Sequence, residues 1–437
     1  RAVGLHWPGK QVIINMAPAD IRKEGASYDL PLAVGILVAS GMVSGTGLDG
    51  LLLTGELSLD GSVRPVRGVL PMALQAREAG FTGMIVPAAN APEAAVVEGL
   101  DVYGVNSLAE VLSFMRGECK PDPLKIDLES LFSREGNIYD ADFSDVRGQE
   151  NVKRALEVAV GGSHNAILVG PPGSGKTMLS RRLPGILPPL TLEEALETTK
   201  IHSVAGKIDS HLPLMIRRPF RSPHHTSSDI ALVGGGSVPQ PGEISLAHNG
   251  ILFLDELPEF KRNVLEVLRQ PLEDRVITIA RARMSCNFPA SVMLIASMNP
   301  CPCGFYNHPS KQCTCGPGMV QKYLSRISGP LLDRIDIHIE VVPVDYGNLS
   351  ASSPAESSAV IRNRIVAARE IQAARFAGND GIRCNAQMTP AMIRRHCHLD
   401  DTGSRLLKAA MERRGLSARA YDRILKVART IADLDHS

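Results

Sequence analysis

The run Gly170-Pro171-Pro172-Gly173-Ser174-Gly175-Lys176-Thr177 follows four apolar residues, Ala166–Val169, and opens a helical stretch at Met178. Apolar strand, glycine-rich loop and helix form the setting in which backbone N–H groups turn inward around an anion, and the helix dipole adds to the attraction. All eight residues fit a loop that cradles the phosphates of a nucleotide such as ATP. In such a loop Lys176 reaches the β- and γ-phosphates and the Thr177 hydroxyl ligates Mg²⁺. A second apolar run, Ile251–Leu254, ends in Asp255 and Glu256. Two carboxylates at the end of a buried strand are poorly solvated and need a reason to be there. Asp255 can hold Mg²⁺ through water, and Glu256 can polarise an attacking water, which reads as hydrolysis. A third run, Val292–Ala296, leads to Asn299, a polar side chain able to orient the same water. The alternative for Asn299 is an ordinary loop position.

Four of the eight cysteines form two close pairs, Cys301-x-Cys303 and Cys313-x-Cys315, with nine residues between the pairs. Four thiolates suit a tetrahedral, structural Zn²⁺, and they leave no open position for catalysis by the metal. His308 is a fifth candidate ligand, and a reduced loop without metal is the alternative reading. Cys119, Cys286, Cys384 and Cys397 are scattered and read as ordinary buried thiols. Such clustering fits a reducing compartment, so a cytoplasmic location is expected.

The elements that must carry these residues divide the 437-residue chain into three units. Residues 1–118 mix short apolar runs (Gln11–Ala17, Leu51–Leu53, Met84–Val86) with helical stretches at Leu30–Ser40 and Pro71–Ala79. A polar linker, 119–139, follows. Residues 140–345 alternate apolar strands with helices, the pattern of a parallel sheet covered on both faces, with the cysteine segment 301–315 as an insertion. Residues 346–437 place Ile361, Ile365, Ala368 and Ile371, then Tyr421, Ile424, Leu425, Ala428 and Ile431, at helical spacing. They carry 15 basic against 9 acidic side chains, whereas the whole chain has a net charge of only +1. Any surface for a polyanion must therefore be local. No apolar run approaches the ~20 residues that span a bilayer.

In combination the phosphate loop, Asp255/Glu256 and Asn299 resemble Walker A, Walker B and sensor 1 of AAA+ ATPases. The chain is similar above all to the ComM/YifB, magnesium chelatase-like branch. Its matching segments are Arg218–His225, Pro241–Gly250, Asn299–Gly304 and Gly329–Asp336, and Asp145–Gln149 resembles the entry motif ahead of the AAA+ fold. The resemblance implies an AAA+ α/β core with a helical lid, assembled as a homo-hexamer with ATP between subunits. It implies Arg334 as the arginine finger, with Arg326 competing for that role, and Arg419 as sensor 2. It also implies a helicase or branch-migration motor that acts with a recombinase on single-stranded or branched DNA during natural transformation. The alternative class is a motor subunit for metal insertion into a tetrapyrrole.

Lys23–Ser27, Leu53–Leu57 and Val63–Gly68 resemble the Lon protease fold, an α+β domain of the ribosomal S5 domain 2 type, whose degenerate form recurs in the recombination factor RadA. A serine nucleophile there needs a lysine base, and the family pattern places it where this chain has Leu70. Ser27 is therefore expected to be a remnant, which argues against the third reading, an ATP-dependent protease. The chain opens on Arg1, partway into that pattern, and reads as a fragment or processed chain. For DNA, the alternating stretch Asp274–Arg283 offers Arg281 and Arg283, and a second basic cluster offers Arg221, His224 and His225 beside Arg217 and Arg218. Arginines on a hairpin can track phosphates without reading bases. Pairing with neighbouring acids is the competing use of each.

Overall fold

The computed structural model describes residues 4, 11–16, 26–119, 121–135, 139, 141–208, 212–281, 284–308, 310–344, 355–379 and 381–436. It divides into two compact units, Arg1–Gly136 with Thr191–Ile216, and Asn137–Leu190 with Arg217–Ser437.

Three strands of the second unit, β6 (Ala166–Val169), β10 (Ile251–Leu254) and β13 (Met293–Met298), are apolar and almost wholly buried. Burial of both faces demands helices above and below, which is why they read as continuous apolar runs. With β7 (Phe220–Arg221) and β14 (Ile337–Glu340) they form a parallel sheet of order β14-β6-β13-β10-β7. The chain leaves β6 towards the far edge, returns through β10 and β13, and crosses to β14 on β6's other side. Ligands of open parallel sheets bind at the strands' carboxyl ends where the winding reverses, and here that point is the end of β6. Two further antiparallel pairs are β8 (Gly234–Gly235) with β9 (Gln240–Pro241) and β11 (Val276–Arg281) with β12 (Met284–Pro289), the second being the expected hairpin.

Ile361, Ile365 and Ala368 of the helix Ser358–Phe376 pack in the same core as Leu168, Phe253 and Ile295. The later helices Pro390–His396, Asp401–Arg414 and Ala418–Leu434 enclose a smaller core of Phe376, Met388, Ile393, Leu407 and Leu425. The expected apolar face of the last helix is not the buried one. Tyr421, Ile424, Ala428 and Ile431 are exposed, and Leu425 is buried together with Thr430, Asp433 and Leu434. Polar groups can take core positions when they are paired. Asp433 accepts from Arg375 (2.7 Å), Asn385 (2.8 Å) and Arg429 (3.0 Å), and Thr430 bonds His164 (2.8 Å).

In the first unit β1 (Leu51–Leu53), β4 (Gly83–Pro87) and β5 (Asp101–Val105) form a parallel sheet, with β2 (Glu56–Leu57) and β3 (Val63–Arg64) as a separate hairpin. The expected helices lie at Asp29–Ala39 and Val69–Glu78. Gln11–Met16 is not a strand, and its residues are mostly exposed. Residues 191–216 fall within the 140–345 core in the division drawn from sequence, yet they group with this first unit. Tertiary contacts account for the difference. Leu196 packs against the cluster of Val69 and Leu70, the Ser203 carbonyl accepts the Gly68 N–H (3.1 Å), and buried Glu93 accepts both Leu70 N–H (2.8 Å) and the Ser203 hydroxyl.

Candidate active site

The phosphate loop leaves β6, and the short helix Lys176–Ser180 follows it. Gly173 (φ 77°) and Gly175 (φ 89°) take the left-handed conformation that lets the chain curl, which glycine adopts without steric cost. The Lys176 ammonium is nearly buried and donates to the Gly170 carbonyl (2.7 Å), the Pro171 carbonyl (2.9 Å) and Asn299 Oδ1 (3.2 Å). Burial lowers its pKa, and the Asp255 and Glu256 carboxylates oppose that shift. The Thr177 hydroxyl donates to Asp255 Oδ2 (2.9 Å), while the Ser297 hydroxyl donates to Asp255 Oδ1. Asp255 is thus held from both sides, and Thr177 with Asp255 forms a hard oxygen pair suited to Mg²⁺.

Glu256 sits at φ 53°, an unusual conformation for a residue with a Cβ, and its carboxylate is more than half exposed. Its N–H donates to Asp255 Oδ1 (3.1 Å). The turn therefore tips Glu256 away from the bonds that tie down Asp255 and leaves a carboxylate near the loop to act on water. Lys176, Thr177, Asp255, Glu256 and Asn299 are brought together from the ends of three adjacent strands.

Sequence reasoning missed two members of this cluster and gave a third, His225, another role, that of a DNA contact. Ser297 had one local signal, a hydroxyl inside the apolar strand Met293–Met298. His225 Nδ1 lies 3.9 Å from Glu256 Oε2, which places this histidine beside the acid. Tyr323, on the helix Pro317–Leu324, is buried, and its phenol lies within electrostatic reach of Glu259 and Glu256. Burial first, then the charge of Glu259, pushes the Tyr323 phenol up to about 12. Nothing near Tyr323 in the chain signals that placement.

The remaining candidates lie elsewhere. Arg334 donates to the Pro330 carbonyl (2.7 Å) and pairs with Glu273, not with the phosphate loop of its own chain. Arg326 pairs with Glu259 (3.1 Å) and the Pro258 carbonyl (3.2 Å). Arg419 is exposed on the first turn of its helix. One turn on, Arg423 donates to the carbonyls of Ile335 (2.9 Å) and Leu332 (3.4 Å), tying that helix to the segment around Arg334.

Of the basic residues read as DNA contacts, Arg221 is committed to both oxygens of Glu243 (2.6 and 2.8 Å). Arg218 is spent on the carbonyls of Pro188 (2.7 Å), Asn249 (2.8 Å) and Pro189 (3.1 Å). His224 is exposed and bonds Thr226 (2.9 Å), and Arg281 is exposed on the hairpin with a bond to the Gly236 carbonyl (3.3 Å). Arg283, like Lys23, Glu24 and Gly25, lies outside the described residues.

The four clustered cysteines converge, with all their sulfurs within 4.8 Å of one another. The Sγ atoms of Cys301, Cys303 and Cys313 stand 3.4, 3.7 and 3.5 Å apart. Four Zn–S bonds of about 2.3 Å in a tetrahedron set sulfurs about 3.8 Å apart, so the donor set fits Zn²⁺ with little movement. Backbone N–H groups of Cys303 and Tyr306 point at the Cys315 and Cys301 sulfurs (3.4 and 3.3 Å). An N–H from Phe305 heads the contacts that hold the Cys303 thiol down to about 5. Cys313 is driven up to about 12 because burial and neighbouring sulfurs outweigh an N–H from Cys315. Four close sulfurs cannot all ionise without a cation among them.

A parallel sheet with this strand order, a phosphate loop after β6, paired acids after β10 and a polar residue after β13 define an AAA+ ATPase core with a helical lid. Residues 142–349 match the family described as magnesium chelatase, subunit ChlI, residues 355–437 match its C-terminal family, and residues 1–90 match a further ChlI family. The YifB protein of Salmonella typhimurium is 44% identical over 99% of this chain and 83% of its own length. Competence protein ComM of Haemophilus influenzae is 44% identical over 98% of this chain and 82% of its own. Lon protease 2 of Bacillus subtilis is 31% identical over 33% of this chain and 27% of its own. The chain belongs to the ComM/YifB family of magnesium chelatase-like AAA+ proteins, and it carries a Lon-like region. Among the described residues no helix is long and apolar enough to cross a membrane.

Proposed function

We propose that the chain is an ATP-driven DNA motor: a cytoplasmic, ring-forming helicase or branch-migration factor that extends recombined DNA during natural transformation. The observation that carries this reading is the convergence of Lys176, Thr177, Asp255 and Asn299 with Glu256 left exposed beside them. Lys176 turns from the loop carbonyls to the triphosphate, Thr177 and Asp255 hold Mg²⁺, Glu256 takes the proton of the attacking water, and Asn299 orients it. Mg²⁺ when bound offsets phosphate charge. Arg334 exchanges Glu273 for the triphosphate of a neighbouring copy in a homo-hexamer, and Arg419 contacts the nucleotide of its own lid. Exposed Tyr421, Ile424 and Ile431 support a surface that other copies cover.

Exposed Arg281 on the β11–β12 hairpin supports backbone tracking of single-stranded or branched DNA, with Arg283 and His224 as further contacts and a recombinase as partner. The name of the Haemophilus relative, a competence protein, supports the same role. Cys301, Cys303, Cys313 and Cys315 hold a structural Zn²⁺. Leu70 is fully buried where a peptidase would need its lysine, which supports a Lon-like domain without peptidase activity. The functional division remains 1–118, 140–345 and 346–437, with 191–216 packed on the first of these.

The test is ATP turnover and strand displacement on branched DNA, with and without single-stranded DNA. Turnover stimulated by DNA and abolished in Glu256→Gln is expected. Turnover with neither DNA binding nor strand displacement contradicts the reading. The match to magnesium chelatase subunit ChlI favours a second reading, a motor for metal insertion into a tetrapyrrole. A porphyrin metallation assay with partner subunits separates the two.

A further inference from the structure

The segment between β13 and the helix Pro317–Leu324 carries all four clustered cysteines, and its start and its middle touch the nucleotide site. At its start, Asn299 precedes Cys301 by two residues and bonds the Lys176 ammonium (3.2 Å). In its middle, Gly304 turns at φ 84° directly against the phosphate loop. A Cβ on Gly304 would stand 2.3 Å from Cδ and 2.7 Å from Cγ of Pro172.

We propose that a thiophilic divalent cation of the zinc class, held by the four cysteines, controls nucleotide hydrolysis without touching the nucleotide. This inference rests on the zinc and ATPase readings above and adds a route between them. Binding deprotonates the thiols, releases their protons to solvent and closes the loop from the first cysteine pair to the second. The closed loop fixes Gly304 on Pro172, and through Cys301 it fixes Asn299 two residues earlier, which bonds Lys176. Among the contacts described, the loop without its cation is tied across by the Cys303 N–H to the Cys315 sulfur (3.4 Å) and by thiol contacts of Cys313 with Cys301 and Cys303, which are weak constraints on a segment of this length. Freed, it no longer sets the positions of Pro172 and Asn299. The cation thus acts on the reaction through two positioning contacts, one to each side of Lys176.

The experiment uses the full chain in three forms: as purified with its metal content measured, stripped with a chelator and then reloaded with Zn²⁺, and as the variant Gly304→Ala. Stripping is expected to lower ATP turnover about 10-fold or more, the size of effect seen for outer-shell groups, and reloading to restore it. Hydrogen exchange on the stripped protein is expected to speed up in 170–177 as well as in 301–315. Gly304→Ala is expected to retain one metal ion per chain yet lose turnover to a similar degree. A stripped, folded protein with unchanged turnover and unchanged exchange in 170–177 overturns the proposal, as does full activity in Gly304→Ala. Purified protein with no bound metal and no zinc uptake instead sinks the zinc reading. Metal-loaded protein without turnover sinks the ATPase reading.

Discussion

The Thr177 hydroxyl donates to Asp255 Oδ2 across 2.9 Å, so the first turn after the phosphate loop is joined to the acid that ends β10. Both are oxygen donors, and their separation matches neighbouring positions around one small hard cation. Thr177→Val preserves the shape and removes the oxygen. We expect affinity for the Mg²⁺–nucleotide complex to fall about 10- to 100-fold, while affinity for nucleotide in EDTA changes little. Titration of a fluorescent ATP analogue with and without Mg²⁺ checks this.

Ser297 holds the other oxygen of Asp255. Ser297→Ala removes one of the two donors to Asp255 Oδ1 and leaves the Glu256 N–H alone there, a loss of about 1.5–3 kcal/mol for a hydrogen bond to a charged group. Turnover is expected to drop while nucleotide binding without Mg²⁺ stays unchanged. Steady-state ATPase assays at graded Mg²⁺ will show a higher Mg²⁺ requirement if Ser297 acts through Asp255.

The core of this site was legible because its parts are local. Gly170–Thr177 is one uninterrupted motif, and Asp255, Glu256 and Asn299 each follow an apolar run that can only be a buried strand. Ser297, His225 and Tyr323 join the site through packing between elements distant in sequence, and only Ser297 breaks a local pattern. The helix Ala418–Leu434 was misread for a related reason. Hydrophobic periodicity cannot foresee that Asp433 is buried by pairing with Arg375, Asn385 and Arg429. In the same way, the helix Leu192–Val204 follows the phosphate loop in sequence but packs with Val69 and Leu70.

Asp433 is fully buried and ion-paired, and hydrogen bonds from Arg375 and Asn385 outweigh burial to hold its pKa below the ordinary carboxylate value. Asp433→Ala strands the buried end of Arg375 and is expected to destabilise the second unit by about 3–5 kcal/mol. Because the folded pKa is depressed, this stabilisation is fully present above the unfolded value of about 3.9 and is lost as pH falls through the folded one. Urea denaturation is expected to show that loss only below about pH 4. In Asp433→Asn, which keeps the shape, this part of the pH dependence should vanish.

Arg423 caps the carbonyls of Leu332 and Ile335, on either side of Arg334. Arg423→Met keeps the length of the side chain and removes its donors. ATP affinity is expected to stay near wild type while kcat falls, because the loss misplaces Arg334 and leaves the phosphate loop intact. Equal losses in affinity and kcat would instead mean general disruption of the lid.

The central claim is that an adjoining copy's Arg334 completes the site built on Glu256, so that hydrolysis drives movement along DNA. Its most direct test mixes two inactive variants, Arg334→Ala and Glu256→Gln, in equal amounts with single-stranded DNA and measures ATP turnover. If the proposed ring forms, mixed rings would contain interfaces with an intact Glu256 on one side and an intact Arg334 on the other. The account predicts that the mixture regains DNA-stimulated turnover that neither variant has alone. A mixture as inactive as its components, or an Arg334→Ala protein at full rate by itself, would contradict it.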